Sequence, residues 1–267
     1  MESNSFIAEV YRRMDSVPLN QKGENMALQH DIFTDNVHVE NAVYHYKDIL
    51  PKNKNARILD VGFGSGWFIA ACIKLGYTNI YGMDFFAKEK MINIVKSEKS
   101  IQEVFNVEGN IGSFLSKHGK KYDFIHMSHV IEHVPKYSLL YVVDSIYASL
   151  NKNGVLLTRT PNMEGPLALS SLFCTLGHEY GFSSKNIHSL LSICGFENIE
   201  FYSFNINNPT FKQLIGNIFR SYFIFWERLK YRSFGATVEG CKGEFGTELI
   251  VTSMRVDSPE LMNDKYS

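Results

Sequence analysis

Four side chains that could carry out acid–base chemistry stand in two separate segments of the chain. His129, Glu132 and His133 directly follow a predicted apolar strand, Tyr122–Met127, and His178 lies in a long connection further on. Histidine titrates near neutral pH, so His129, His133 and His178 are the candidate catalytic bases. The plainer alternative is that Glu132 and His133 cap and pack the helix that follows.

His129-x-x-Glu132-His133 resembles Glu-x-x-Glu-His, a pattern that binds a divalent metal in some O-methyltransferases, with His in place of the first Glu. This resemblance implies a metal site as an alternative. His178 could add a further ligand, giving three nitrogens and one carboxylate, a set that suits Zn, Fe or Mn better than Mg. The side chains could converge only if a helix begins near Val130. The main expectation is that these residues serve catalysis and that no metal is bound.

A glycine-rich turn follows the first predicted strand. Arg57–Val61 is largely apolar, Gly62, Gly64 and Gly66 come at alternate positions, and a helical pattern extends over Trp67–Leu75. This order of strand, turn and helix is the first half of a βαβ unit. Glycines allow positive φ and let a ligand lie against bare main chain. Ligands of open α/β sheets bind beyond the carboxyl ends of the strands, which places a site at this turn.

The turn departs from the dinucleotide-binding fingerprint G-x-G-x-x-G. Gly62 and Gly64 fit it, but the third position is Trp67. Asp60 precedes the first glycine by two residues, where a carboxylate would repel a pyrophosphate and could indirectly serve a cationic amino-acid group. The string Asp60-x-Gly62-x-Gly64-x-Gly66 resembles motif I of the class I S-adenosylmethionine-dependent methyltransferases.

The resemblance implies an α/β fold with a Rossmann-like, doubly wound, seven-stranded sheet that binds S-adenosyl-L-methionine and releases S-adenosyl-L-homocysteine. The predicted strands are 57–61, 79–83, 104–108, 122–127, 155–160, 197–204 and 247–255.

Asp84, at the tip of the second strand, is expected to hold the ribose hydroxyls, with a helix N-cap as the alternative. Asn110 stands where the family often has Asp beside the adenine, and its side-chain carbonyl can also accept a hydrogen bond. The expected cofactor-binding residues are Asp60, Gly62, Phe63, Gly64, Gly66, Asp84, Phe85, Asn110, Ile111 and Ser128.

The segment after the fourth strand resembles motif IV of the same family. It lacks the Asn/Asp-Pro-Pro-aromatic motif of enzymes that methylate DNA amino groups. The run HEYGFSSKNIHSLLSICGFENIEF, residues 178–201, resembles methyltransferases of polysaccharide and lipopolysaccharide biosynthesis, in which the His-Glu pair faces the active site. This implies O-methylation of a small hydroxylated acceptor, such as a sugar, sugar nucleotide or glycan unit. The alternatives are a quinone or lipid acceptor at a membrane surface, or a non-catalytic S-adenosylmethionine-binding subunit.

Composition narrows the class of partner. The chain has 267 residues, a net charge of −1 and four cysteines without a C-x-x-C pair. The near-zero charge disfavours nucleic acid as a partner, and the cysteines are typical of reduced thiols. No window has the apolar length of a membrane span, and no signal peptide is evident. We therefore expect a cytoplasmic protein with a small-molecule acceptor and no integral membrane segment.

The predicted organisation has three regions. Residues 1–55 form an N-terminal helical cap, including helical spacing at 6–14 and a helix over 37–50; residues 56–258 form the methyltransferase domain; and 259–267 form a tail. The resemblance covers about 56–255. Residues 209–234 form a helical insertion that combines a broad apolar surface with basic residues. Such a helix can lie on a membrane, cover the pocket or form a dimer face, and we expect packing or a homodimer rather than membrane binding.

Overall fold

The computed structural model describes residues 36–85, 89–107, 110–165, 167–203, 211–234 and 246–256. The helical spacing predicted at 6–14 and the predicted tail 259–267 lie outside the described residues. The division into a cap, a domain and a tail therefore stays a prediction.

The fold is built on one seven-stranded sheet. Its strands are β1 (Ile58–Val61), β2 (Ile80–Asp84), β3 (Ile101–Asn106), β4 (Tyr122–Ser128), β5 (Leu150–Pro161), β6 (Phe196–Tyr202) and β7 (Glu248–Arg255). The order is β3-β2-β1-β4-β5-β7-β6, and β7 is antiparallel to both of its neighbours. The doubly wound seven-stranded sheet predicted from the sequence is confirmed.

Helices cover both faces of this sheet. They are α1 (Asn36–Tyr46), α2 (Trp67–Lys74), α3 (Glu89–Lys96), α4 (Ile111–His118), α5 (Leu139–Ser149), α6 (Ala168–Leu172), α7 (Ser184–Ile193) and α8 (Phe211–Ser233), with 3-10 turns at Ile131–His133 and Lys136–Ser138. Successive strand residues point to opposite faces, so Ile58 packs in one apolar cluster and Leu59 in the other. A strand buried on both faces reads as a continuous apolar run, which is why β1 was easy to predict.

The carboxyl ends of the parallel strands meet at one edge, which we call the carboxyl edge. β7 begins at this edge, because Glu248 pairs with Pro161 at the end of β5. β6 ends there, because Tyr202 pairs with Ile250 near the start of β7. The loops after β1, β2, β4, β5 and β6 therefore all leave the sheet at the same edge.

Several predicted boundaries were wrong. The helix predicted over 37–50 ends at Tyr46 and continues as a turn. β3 begins at Ile101 rather than at residue 104, because it is an edge strand whose exposed Gln102 and Glu103 hide the apolar pattern. The helix after β4 begins at Leu139, after a 3-10 turn at Lys136–Ser138. The sheet and the order of its elements are unaffected.

Residues 151–154, Asn-Lys-Asn-Gly, are of turn-forming types and precede the predicted strand 155–160, but they lie inside the long strand β5. Pairing with β4 passes from Tyr122–Leu150 to Phe124–Val155, so the intervening residues of β5 form an irregularity. Asn153 adopts a φ of 60° there. Turn chemistry was thus correctly read from the sequence, but the chain bulges within the strand instead of ending it.

Candidate active site

The glycine turn after β1 has the backbone that its residues predict. Gly62, Gly64 and Gly66 have φ values of 73°, 48° and 75°, in the left-handed region that only glycine adopts without steric cost. The Gly62 N–H donates to the carbonyl of Met83, 2.7 Å away, which fixes the turn against β2. The turn therefore presents bare main chain at the carboxyl edge.

Asp84 lies beside this turn. Its carboxyl group is 8 % exposed, and Oδ2 accepts a hydrogen bond of 2.8 Å from the Gly64 N–H. Asp84 is the last residue of β2, and α3 is described from Glu89, so the N-cap alternative for Asp84 stays a prediction. The position matches the predicted one, at the tip of β2 and next to the glycines, and the Gly64 contact was not foreseen.

Two of the predicted cofactor-binding residues, Asn110 and Ile111, also stabilise the fold. Asn110 is the N-cap of α4, and its Oδ1 accepts from the Gly112 N–H at 2.8 Å. Ile111 begins that helix and is buried in the core. An adenine contact by Asn110 or Ile111 stays a prediction.

The two predicted aromatic residues belong largely to the core. Phe63 is 5 % exposed, and its ring lies so close to Gly82 that a Cβ there would meet it at 3.1 Å. Phe85 is partly buried against the core. Ser128 is half-buried at the end of β4, at the carboxyl edge. The turn thus offers a ligand mainly its backbone.

A buried carboxylate–histidine pair lies beneath the glycine turn. Asp60 on β1 and His126 on β4 face each other in register, with Oδ1 and Nδ1 2.7 Å apart and both side chains at most 4 % exposed. His126 Nε2 lies 3.3 Å from the hydroxyl of Tyr46. Burial raises the pKa of Asp60 and raises that of Tyr46 to about 12. Because Asp60 binds His126, it can support a ligand only indirectly.

A second set of polar groups continues from Tyr46 towards the acceptor side. Arg159 hydrogen-bonds Tyr46 and also binds Glu248 through Nε, at 2.8 Å from Oε2. Glu248 Oε1 lies 2.9 Å from His129 Nε2, and His129 Nδ1 lies 3.1 Å from Glu132 Oε1. A continuous polar network therefore joins the glycine turn to the loop after β4.

Contacts within this network shift the pKa values of His129 and Glu248. Burial alone would lower the pKa of His129, but hydrogen bonds to Glu132 and Glu248 raise it to about 9. Burial acts upward on the pKa of Glu248, but His129 and Arg159 lower it to about 2. These contacts favour the protonated form of His129 at neutral pH. Catalytic roles for His129, His133 and His178 stay predictions.

Glu132, His133 and His178 converge, as the sequence predicted. The His133 and His178 rings have centroids 4.8 Å apart, and one ligand atom from each of the three residues lies within 4.8 Å of the others. The backbone carbonyl of Glu132 accepts from the Glu179 and Tyr180 N–H groups at 2.8 and 3.2 Å. These bonds tie the long connection to the turn after β4. We call these three side chains the histidine–carboxylate cluster.

The loop that contains Glu132 and His133 packs on the glycine turn through Val130. A Cβ on Gly62 would meet Val130 Cγ2 at 2.4 Å, so the loop after β4 packs directly on the turn. His129 has a φ of 54°, a conformation that non-glycine residues rarely adopt and that is often found at functional sites. The sharp bend at His129 sends Val130 towards the glycines and the following residues towards His178.

A seven-stranded sheet with an antiparallel β7, and a glycine turn with an acid at the tip of β2, define the class I methyltransferase fold. The family model described as a methyltransferase domain matches residues 38–200, more than half of the chain. The chain belongs to this family. No curated protein is similar enough in sequence to match it.

Solved structures share the fold at low sequence identity. An S-adenosylmethionine-dependent methyltransferase from Archaeoglobus fulgidus is 16 % identical, with a TM-score of 0.55, over 81 % of this chain and 94 % of that one. Human N-acetylserotonin methyltransferase, solved in complex with SAM, is 14 % identical with a TM-score of 0.54, over 95 % of this chain and 66 % of that one. A structure from Haloferax volcanii, a complex between the Trm112 methyltransferase activator and a protein described as a methyltransferase, matches at 12 % identity with a TM-score of 0.56. The match covers 96 % of this chain and 98 % of that one. At these identities the matches establish the fold alone.

Proposed function

We propose that this methyltransferase transfers the methyl group of S-adenosylmethionine to a hydroxyl group of a small acceptor, such as a sugar, sugar nucleotide or glycan unit. The observation that carries the proposal is the packing of Val130 on Gly62. It sets the histidine–carboxylate cluster beside the turn where the family binds its methyl donor. A hydroxyl held by this cluster would face the donor.

The proposed reaction needs positioning and a proton acceptor. The sulfonium methyl group is already activated, because the sulfur leaves as a neutral thioether. Alignment and exclusion of water supply much of the rate. As the new C–O bond forms and the C–S bond breaks, the hydroxyl proton passes to a base. The Nδ1 atoms of His133 and His178 lie 2.8 and 3.2 Å from the carbonyls of Gly177 and Leu172, so Nδ1–H donates and Nε2 carries the lone pair.

The donor would be held by the glycine turn and by Asp84. A carboxylate has about four acceptor positions, so Asp84 can hold the Gly64 N–H and the ribose hydroxyls together. Losing Asp84 would remove a charged acceptor from the ribose and release the turn. We expect both effects to weaken cofactor binding rather than to unfold the protein.

Calorimetry of S-adenosylhomocysteine binding tests this proposal. We expect binding in the micromolar range, weakened about tenfold or more by Asp84→Ala, because hydrogen bonds to a charged group contribute about 1.5–3 kcal/mol. Asp48→Ala is the matched control, since Asp48 is exposed beyond α1. An absence of binding by the wild-type protein would reject the donor assignment. Nucleotide sugars would be the first acceptors to screen.

A second candidate, an acceptor at a membrane surface, is supported by α8. This helix of 23 residues exposes apolar side chains along its length, among them Ile218, Phe219, Tyr222, Phe225 and Trp226. At 100° per residue these fall on one side of the helix, with Arg220 on the other. Apolar residues on one face and basic residues on the other are typical of helices that lie in a membrane interface.

The charge of α8 favours an anionic surface. Its last two turns contain Arg228, Lys230 and Arg232, and Glu227 is the only acidic residue in the helix. β6 ends and β7 begins at the carboxyl edge, so the part of the chain that contains α8 is attached to the sheet at the edge of the candidate active site. Among the described residues, no helix has the length and hydropathy of a membrane span. A membrane-embedded hydroxyl would then reach the site from the lipid surface.

Vesicle co-sedimentation tests the second candidate. We expect binding to phosphatidylcholine vesicles that contain phosphatidylglycerol, and little binding without it. Each basic residue near an anionic surface contributes about 1 kcal/mol, so Arg228→Gln with Arg232→Gln should weaken binding about 30-fold. Trp226→Glu should abolish it, whereas Tyr137→Glu, at an exposed aromatic outside α8, should not.

A homodimer through 209–234 is the competing proposal for this helix. It predicts a dimer in light scattering that Trp226→Glu converts to a monomer, without any binding of the wild-type protein to vesicles. That result would reject the membrane candidate and leave the soluble acceptor.

A further inference from the structure

We propose that Glu132, His133 and His178 form a binding site for a divalent transition-metal ion that activates the acceptor hydroxyl. The inference deepens the proposed function and rests on it for the role of the ion, but not for its binding. The ligand set differs from the alternative raised from the sequence, because His129 is held by two carboxylates and His178 takes its place.

The geometry of the three side chains is close to that of a loaded site. Ligand atoms about 2.1 Å from a tetrahedral ion are about 3.4 Å apart. Here one ligand atom from each residue lies within 4.8 Å of the others, so closure needs a movement of about 1.4 Å at most. Both imidazoles are half-buried, and rotation of their rings can provide this movement.

The surroundings of the ligands match those of metal-binding histidines. Such histidines donate their second ring N–H to a carbonyl or carboxylate, which fixes the tautomer. His133 donates through Nδ1 to the carbonyl of Gly177, and His178 through Nδ1 to that of Leu172. In both neutral rings Nε2 is then the ligand atom.

The carboxylate of Glu132 is also held by hydrogen bonds. Glu132 Oε1 lies 3.1 Å from His129 Nδ1, and Oε2 accepts from the Thr160 hydroxyl at 3.1 Å. Ligating carboxylates are themselves hydrogen-bonded in metal sites. Glu132 is 1 % exposed, and these two contacts hold its carboxylate in a fixed orientation.

The ligand types indicate which ion would bind. Two imidazoles and one carboxylate suit Zn²⁺, Mn²⁺ or Fe²⁺ better than Mg²⁺ or Ca²⁺, which prefer oxygen. Three protein ligands leave coordination positions open, as in catalytic rather than structural sites. An acceptor hydroxyl could occupy an open position next to the glycine turn.

The ion would act as a Lewis acid, without any change of oxidation state. Coordination lowers the pKa of the acceptor hydroxyl, and its proton leaves to solvent water. The coordinated oxygen then forms a bond to the methyl carbon as the carbon–sulfur bond breaks, and the sulfur takes that electron pair as a neutral thioether. His133 and His178 serve here as ligands, so the ion replaces the proton transfer described for the metal-free cluster.

Metal titration of tag-free, chelator-treated full-length protein tests the site. We expect one equivalent of Zn²⁺ by calorimetry, and a visible absorption band when Co²⁺ is the probe. His178→Ala should weaken binding at least tenfold. His188→Ala is the matched control, since His188 is exposed on α7 and should leave binding unchanged. Equal affinity of wild-type and His178→Ala proteins, or no binding at all, would overturn the proposal.

A measurement on the wild-type protein guards against misfolding of the variant. Zn²⁺ should protect His133 and His178, but not His188, from modification by diethyl pyrocarbonate, read by mass spectrometry. Modification that is the same with and without Zn²⁺ would also overturn the site. Calorimetry of S-adenosylhomocysteine separates the two hypotheses: its failure to bind would reject the proposed function while leaving the metal site to be judged by these titrations.

Discussion

Gly62→Ala is expected to lower the affinity for S-adenosylhomocysteine about 100-fold or more. The new Cβ would lie 2.4 Å from Val130 Cγ2, and the φ of +73° would add the cost of a left-handed side chain. That conformation costs about 1–2 kcal/mol and overpacking about 1–3 kcal/mol, and 100-fold in affinity corresponds to about 2.7 kcal/mol. The chain can relieve the clash only by moving the turn or the loop after β4. Either movement separates the donor from the histidine–carboxylate cluster.

Gly119→Ala distinguishes the effect of the clash with Val130 from the effect of the left-handed backbone. Gly119 ends α4 with a φ of +69°, and a Cβ there would meet nothing within 4 Å. It therefore has the same backbone penalty as Gly62 without the clash, and we expect unchanged binding and a stability loss of about 1–2 kcal/mol. Unfolding by urea and calorimetry of both variants give the comparison. If Gly62→Ala binds as tightly as Gly119→Ala, the turn does not hold the ligand.

The sequence was most informative where a local rule fixes the structure. The alternate glycines predicted the left-handed turn, because other residues would be strained at positive φ. The apolar runs of β1, β2 and β4 predicted buried parallel strands. His178 lies near the loop after β4, where the bonds from the Glu179 and Tyr180 N–H groups to Glu132 tie the long connection, and its expected catalytic role stays a prediction. That expectation came from the family resemblance rather than from any local pattern.

The polar network was missed, because its members come from elements that are far apart along the chain. Tyr46 ends α1, His126 lies on β4, Arg159 on β5 and Glu248 at the start of β7. No spacing rule connects residues so far apart. A signal was nevertheless present: His126 and Arg159 interrupt strands that otherwise read as buried, and a buried polar side chain needs a partner. Aligning β1 with β4 would have placed Asp60 opposite His126.

The role of His129 could not be read from its residue type. The sequence identifies a histidine at a strand end, which is a reasonable catalytic base. Only the fold shows that Glu248, 119 positions away, pairs with it, and that pairing raises the pKa of His129 to about 9. The ring of His129 is thereby held between the carboxylates of Glu248 and Glu132, and its role as a catalytic base stays a prediction. The same carboxylate of Glu248 binds Arg159, so one residue holds both cations of the network.

Glu248→Gln is therefore expected to lower the free energy of unfolding by about 3 kcal/mol at pH 7. The pKa of Glu248 is lowered from 4.5 to about 2 in the folded protein, and each unit corresponds to about 1.36 kcal/mol. A depressed carboxyl pKa stabilises the fold above pH 4.5, and this contribution is lost as the pH falls through about 2. The difference between wild-type and variant proteins in urea unfolding should thus be largest between about pH 5 and pH 7 and shrink below pH 5. It should also fall as the pH rises through about 9, where His129 loses its proton. Glu103→Gln, which breaks the exposed pair with Lys120, should cost less than about 1 kcal/mol. Equal losses for the two variants would mean that Glu248 does not hold the two cations together, and the network would then be a set of independent surface contacts.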